Sequence, residues 1–345
     1  MKGIAQLAQQ LGISTGTVSR ALNGKPDVNA ETRRRVLEAA RSQGYAPNHA
    51  ARALAQGATH QVGFMIQLAP ENASSNDYFF MGVFDAMQRV LDKHELDLLV
   101  LPCPSHQDHY TYLQRFVSRS AVDGMILAST MRTDPRITLM QSSGIPFVTL
   151  GRSSTGSGYS WIDLDFETAV ETAIDRFVAR GHRRIALTLP DGEINFGSVV
   201  HQSYRQALAR HGLEYDEQLV LTTHRREDDG DGVVDRLLAL SAPPTAIFLM
   251  YELTAIGIYR RLRERGLEPG RDLAIISFRD EPTIRFIEPS LTCFHISLDD
   301  VGIALAHALL AQIPQFSKAY PGGIIGKRPP VTLVAGRSDA CDPPA

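Results

Sequence analysis

From Val62 onward, short apolar runs alternate with amphipathic stretches, and this alternation constrains the chain more than any other feature. Residues 62–67, 96–101, 124–128, 146–150, 184–189, 246–250 and 273–278 read as buried strands. Between them, residues 79–94, 169–180, 199–211 and 252–265 carry helical stripes. Strand and helix in regular turn predict βαβ units, hence an α/β body of doubly wound parallel sheets. Residues 61–338 are too many for one such sheet. Two lobes are therefore expected, with a ligand cleft between them. Late runs at 291–296 and 331–335 are expected to return and complete the lobes.

The head has another character. Ile4, Leu7, Ala8 and Leu11 fall at i, i+3, i+4 and i+7, Gly12 breaks the stripe, and Ser14 is a good N-cap for a second helix. There Val18 and Leu22 share an inward face, while Thr15, Gly16, Ser19, Arg20 and Asn23 lie opposite. Asn29 can cap a third helix striped by Val36, Leu37 and Ala40. Three short helices with a tight first turn predict an all-α helix-turn-helix unit over 1–46. Residues 1–60 hold eight Lys and Arg against three Asp and Glu, a net +5; the whole chain is −3, so the remainder carries −8. A basic head on an acidic body points to nucleic acid at one end. Small residues at 14–17 allow close approach to base edges, and Arg20 is long enough to fork onto guanine.

Residues 47–60 form a joint. The stretch after Pro47 favours helix but falls below the ~12–15 residues an isolated helix needs. It reads either as a plain linker or as a segment ordered by a partner.

Signals for catalysis fail one at a time. Gly12-Ile13-Ser14-Thr15-Gly16 fits a nucleophile-elbow pattern, but helices rather than a strand flank it. Gly151 to Gly156 lacks the lysine of a phosphate loop, and no G-x-G-x-x-G occurs. Asp228, Asp229 and Asp231 lack the closing glutamate of a calcium loop. His106 and His109 read as solvated surface. Neither an enzyme, a metal site nor a cofactor is expected. Cys103, Cys293 and Cys341 fit no disulfide framework, and neither a signal peptide nor a membrane span is visible, so a cytoplasmic protein is expected.

Several runs together resemble the LacI/GalR family of bacterial transcriptional regulators. They are Val18-Ser19-Arg20-Ala21-Leu22-Asn23-Gly24, Glu31-Thr32-Arg33, Gly44-Tyr45-Ala46-Pro47-Asn48 and Gly181-His182-Arg183-Arg184-Ile185-Ala186-Leu187. The resemblance implies a DNA-binding head, a hinge helix over 47–60 and a two-lobed core over 61–338 resembling periplasmic sugar-binding proteins. One lobe would take 61–161 and 291–320, the other 162–290 and 321–338, leaving a tail at 339–345. Thr15, Gly16 and Arg20 take the base-reading positions. Ser14, Ser19, Asn23, Thr32, Tyr45 and Asn48 take phosphate-positioning ones. Leu54, with Ala51 beside it, matches a residue that wedges into the minor groove, which kinks DNA. Paired hinge helices imply a homodimer on a palindromic operator. With no apolar heptads after Arg337, a dimer rather than a tetramer is expected.

Departures from the family matter as much. Gly3 and Gln6 replace the usual threonine and acidic residue at the first helix. In the core, the familiar sugar-binding arginine aligns with Val200, the sugar-binding aspartate with Arg279, and an Asn-Asp pair with Tyr251-Glu252. Cleft-facing positions are then held by Phe79, Gly151, Arg152, Glu227, Tyr251, Glu252, Arg279 and His295. Leu150-Gly151-Arg152 with Tyr159-Ser160-Trp161-Ile162-Asp163 resembles the branch sensing raffinose or α-glucosides, so a small sugar, an oligosaccharide included, is the expected inducer of a carbohydrate-gene repressor. Two alternatives stand. Arg279 and Glu252 can instead pair with each other across the cleft, and Arg152 and Arg279 leave open a co-repressor such as a purine or sugar phosphate. A sugar-transport protein would share the body but lack the head.

Overall fold

The computed structural model describes residues 3–22, 25–43, 45, 58–68, 77–119, 121–224 and 226–340. The chain divides into two units, Met1–Thr59 and His60–Ala345.

In the first unit, helices α1 (Ile4–Leu11), α2 (Thr15–Leu22) and α3 (Ala30–Ser42) pack around fully buried Leu7, Val18 and Val36. Gly12 takes the left-handed conformation (φ 65°) that closes α1. The Ser14 hydroxyl accepts the Thr17 N–H at 3.1 Å, and Asn29 Oδ1 accepts the Thr32 N–H at 2.7 Å, so both expected caps form. Gly3 caps α1 without a side-chain bond. Ile13 and Tyr45 lie against the same core.

The second unit holds two six-stranded sheets. Strands β1 (Gln61–Gln67), β2 (Asp97–Cys103), β3 (Gly124–Leu127), β4 (Phe147–Leu150), β5 (Ser160–Ile162) and β11 (Gly326–Lys327) form the first, in the order β11-β5-β4-β3-β1-β2, all parallel. The second runs β12-β10-β9-β8-β6-β7, from β6 (Ile185–Pro190), β7 (Val220–Thr223), β8 (Ala246–Leu249), β9 (Ala274–Ser277), β10 (Thr292–Ile296) and β12 (Val331–Val334). There only β10–β12 is antiparallel.

Of the connecting helices, α4 (Asp77–Leu91) and α11 (Leu298–Leu310) pack on each other in the first lobe. Their contact needs Gly302: a Cβ there would lie 2.6 Å from both Ala86 Cβ and the Val83 carbonyl. The others are α5 (His109–Val117), α6 (Pro135–Ser143), α7 (Phe166–Ala179), α8 (Asn195–Arg210), α9 (Asp229–Leu238) and α10 (Thr254–Glu264). The chain passes between sheets after β5, after β10 and after β11.

Three expected boundaries are corrected. Residues 291–296, expected in the first lobe, form β10 of the second sheet, so that return begins at Ser297. Residues 326–327, expected in the second lobe, add β11 to the first sheet. Asp339, expected in a tail, is fully buried: its carboxylate accepts a hydrogen bond from the Thr292 hydroxyl at 2.5 Å and pairs with Arg176. A charged group buried that deeply must be paired, and these partners hold the end of the fold against β10.

Candidate functional site

In the head, α2 exposes Thr15, Gly16 and Arg20 on the side opposite buried Val18 and Ala21. Ser14 is exposed, while Ser19, Thr32 and Tyr45 are half-buried. A Cβ at Gly16 would meet nothing nearer than the Ser14 hydroxyl at 3.7 Å, so this point on the face is flat and open. Arg20 pairs with Asp27 at 3.4 Å, both more than half exposed, a contact weak enough to exchange for another partner. Asn23, Asn48, Ala51 and Leu54 lie outside the described residues.

In the body, the loops after the carboxyl ends of β3, β4 and β6 meet one another, and those after β8 and β9 are joined by Arg279 and Glu252; ligands bind beyond the carboxyl ends of strands in folds of this kind. The loop after β3 is set by a buried ion pair. Arg136 and Asp134 are both 0 % exposed, bonded at 2.9 and 2.7 Å. Arg136 also donates to the carbonyls of Ala128 and Ser129, both at 3.1 Å. This holds Ser129 at φ 53°, a conformation few non-glycine residues adopt. The loop then reaches the other lobe. Met131 and Ile194 form an antiparallel bridge, Arg132 N–H donates to Glu193 O at 3.0 Å, and Asn195 N–H donates to Thr130 O at 2.9 Å. Asn195 Nδ2 adds a bond to Arg152 O at 2.7 Å.

Arg152 follows Gly151, whose φ of 108° suits glycine and whose Cβ position lies 3.0 Å from the Thr130 hydroxyl. Its guanidinium meets two carboxylates and a ring. Nε donates to Asp163 at 2.6 Å, the two Nη atoms grip Glu167 at 2.8 and 3.0 Å, and the plane sits 5.4 Å from the Trp161 ring. Burial pushes the Asp163 carboxyl up despite Arg152. Glu167 stays below its usual range against its partial burial, because Arg152 and Arg328 face it.

Arg279 forms the second cluster. It donates to Glu252 at 3.0 Å and to Glu281, and lies 5.3 Å over the Phe79 ring. Glu252 is 1 % exposed. The anticipated Arg279–Glu252 pairing forms, but inside the second lobe, between the ends of β8 and β9, rather than across the cleft. Beside it Phe166 stacks on Phe278 at 4.7 Å and on Phe196 at 5.0 Å, within the hydrophobic core. A cavity of about 360 Å³ opens on Phe79, Arg279 and His295, joining these three expected residues. Tyr251 is half-buried next to Glu252.

Glu227 joins neither cluster: it is exposed before α9, its carbonyl packed on Gly257. Sequence reasoning missed Glu167, Asn195, Glu281, Tyr78 and Asp280. Only the i, i+4 spacing of Asp163 and Glu167 was a usable signal. The sugar-phosphate or purine alternative is corrected as well. Each cleft arginine already faces two carboxylates, so the cleft holds no surplus positive charge to attract an added phosphate. Among the described residues no cluster is arranged to hold a metal, and no helix is long and apolar enough to cross a membrane.

Known proteins give the same picture. Residues 1–48 match the bacterial regulatory proteins of the lacI family, and residues 174–338 match the periplasmic binding protein-like domain. The HTH-type transcriptional regulator AglR of Rhizobium meliloti (strain 1021) is 33% identical over 316 residues, covering 90% of this chain and 87% of its own. The HTH-type transcriptional regulator RafR of Escherichia coli is 37% identical over 284 residues, covering 82% and 83%. Among solved structures, a transcriptional regulator CelR–cellobiose complex superposes with TM-score 0.71 at 25% identity, covering 98% of this chain and 100% of that one. The lac repressor dimer bound to operator and the anti-inducer ONPF shares the fold, with TM-score 0.83 at 20% identity and 98% of both chains covered. A three-helix head with an open recognition face, joined to a two-sheet body whose loops meet over a cleft, is the architecture of these regulators, and the chain belongs to the LacI family of bacterial regulatory proteins.

Proposed function

We propose that this protein is a cytoplasmic repressor of carbohydrate-utilisation genes that binds a palindromic operator as a homodimer and lets go when an uncharged saccharide enters the cleft. The observation that carries the reading is that the cleft arginines offer no surplus positive charge: Arg152 and Arg279 each face two carboxylates and lie beside an aromatic ring, Trp161 and Phe79 respectively. Planar guanidinium and carboxylate groups pair neighbouring hydroxyls, aromatic faces cover C–H groups, and no surplus positive charge invites an anion. The cellobiose complex of one relative is consistent with this chemistry.

In this reading Thr15, Gly16 and Arg20 read bases. Ser14, Ser19, Asn23, Thr32, Tyr45 and Asn48 hold phosphates, and Leu54 with Ala51 enters the minor groove from a hinge over 47–60. Saccharide binding draws the lobes together, and that movement disfavours pairing of the two hinges. Coupling of ~1–3 kcal/mol is enough for a switch of this type.

A thermal-shift panel of neutral mono-, di- and trisaccharides, sugar phosphates and nucleobases tests the effector half. A raised melting point with a neutral sugar and none with the phosphates supports the reading, since a ligand of the native state must stabilise it. A response to the phosphates alone refutes it. Selection from random duplexes tests the other half: an inverted repeat is expected, and recovery of no common sequence refutes the operator.

A further inference from the structure

The cavity beside Arg279 extends beyond the residues so far assigned to the cleft. It is lined by buried Phe79 and Arg279, and by Tyr78 at the start of α4, Asp280 after β9, and His295 and Ser297 at the junction of β10 and α11. The volume of about 360 Å³ lies in the ~300–1,000 Å³ range of small-molecule sites. Tyr78 is 54% exposed, an aromatic surface open to solvent at the rim.

The charged groups around that ring are held in ion pairs. Asp280 accepts both Arg285 Nε (3.2 Å) and Nη2 (3.0 Å), and Asp299 accepts Arg89 Nη2. Arg279 is held by Glu252 and Glu281. Each carboxylate keeps lone pairs for further donors, because one ion pair does not exhaust its acceptor sites. The Ser297 oxygen accepts the Asp300 N–H at 3.1 Å, which leaves its O–H to donate. His295 is exposed and makes no side-chain hydrogen bond among the described residues.

We infer that this cavity is an outer saccharide subsite, in which Tyr78 stacks on a sugar ring while Asp280, His295 and the Ser297 hydroxyl bond its hydroxyls. The inference rests on the sugar-effector reading and deepens it. One ring sits among Arg152, Glu252 and Arg279, and a further ring of the same oligosaccharide passes the Phe79–Arg279 wall to lie against Tyr78. The preferred effector is then longer than one ring and carries no anionic group, since neither compartment offers surplus positive charge.

Calorimetric titration of the full-length protein with graded sugars tests this. The series are glucose, maltose, maltotriose; glucose, cellobiose, cellotriose; and galactose, melibiose, raffinose. In at least one series affinity should rise with length. Tyr78→Ala should then weaken the longest binder about tenfold, about 1.4 kcal/mol, and leave the one-ring sugar within about twofold. The Tyr78 side chain is exposed, so folding is not at stake, and circular dichroism checks it. Equal loss at every length places Tyr78 in the inner site and overturns the proposal, as does no loss at any length. If a one-ring sugar binds as tightly as its longer relatives, the sugar reading stands and the outer subsite falls. If no sugar binds the unaltered protein, the sugar reading itself has failed and takes the subsite with it.

Discussion

Asn195, at the start of α8 in the second lobe, donates its side-chain amide to the main-chain oxygen of Arg152 in the first lobe at 2.7 Å. One residue therefore reads the position of the β4 loop, and with it the guanidinium that grips Asp163 and Glu167. Its own N–H already binds Thr130 O, so the amide is an added tie rather than the only one.

Asn195→Ala removes that tie and leaves the main-chain bridge. Stability should fall by only ~0.5–1.5 kcal/mol, the net value of one hydrogen bond. Saccharide affinity should drop further, because Arg152 is no longer held in place. Calorimetry beside a melting curve separates the effects, and equal losses in both would assign Asn195 a purely structural part.

Arg136→Met strands the Asp134 carboxylate in a dry site and frees the Ser129 carbonyl. Removing one partner of a buried pair costs about 3–5 kcal/mol. Urea unfolding should show a loss of that size, and a loss below about 1 kcal/mol would mean that water reaches the site.

Gly151→Ala puts a Cβ 3.0 Å from the Thr130 hydroxyl at φ 108°. The strain should cost ~1–3 kcal/mol and turn Arg152 away from Glu167. The expected signature is reduced saccharide affinity with operator affinity in the absence of sugar unchanged; loss of operator binding alone would contradict it.

Three histidines make the body sensitive to acid. Burial lowers the proton affinity of His109, His201 and His307, aided by Arg136, Arg205, and Lys93 with Lys327 respectively. A base depressed in the fold binds its proton more readily when unfolded, so the unfolded state gains protons first as pH drops below ~6.5. Stability should therefore decline on acidification from about pH 7 to about pH 5.5. His109→Gln should flatten that slope, and an unchanged slope would remove His109 from the account.

At the operator, Arg20→Lys should cost ~1–3 kcal/mol of discrimination, because lysine cannot make the forked contact with guanine. Non-specific DNA affinity should barely move. Equal losses on both kinds of DNA would make Arg20 a phosphate contact instead.

The head was legible because its determinants are local: stripes at Leu7, Val18 and Val36, with caps at Ser14 and Asn29 a few residues from the groups they satisfy. The alternation after Val62 carried the two-lobed body for the same reason. The returning strands were not legible, since 291–296 and 326–327 are short segments with nothing in them that names a sheet. The burial of Asp339 depends on Arg176 and Thr292, far away in sequence. In the cleft, Arg152 and Arg279 stood out as odd residues, yet their saturation by Glu167 and Glu281 emerges only in three dimensions. Main-chain ties such as Asn195 to Thr130 have no side-chain signature at all.

The central claim is that a neutral sugar in the body weakens the grip of the head on its operator. Fluorescence anisotropy on the selected inverted repeat, repeated with and without the tightest-binding saccharide, measures that linkage directly. The account predicts at least a fivefold loss of operator affinity, about 1 kcal/mol, with non-specific duplex binding unaffected. Operator affinity that stays constant or rises while the sugar is demonstrably bound would contradict it.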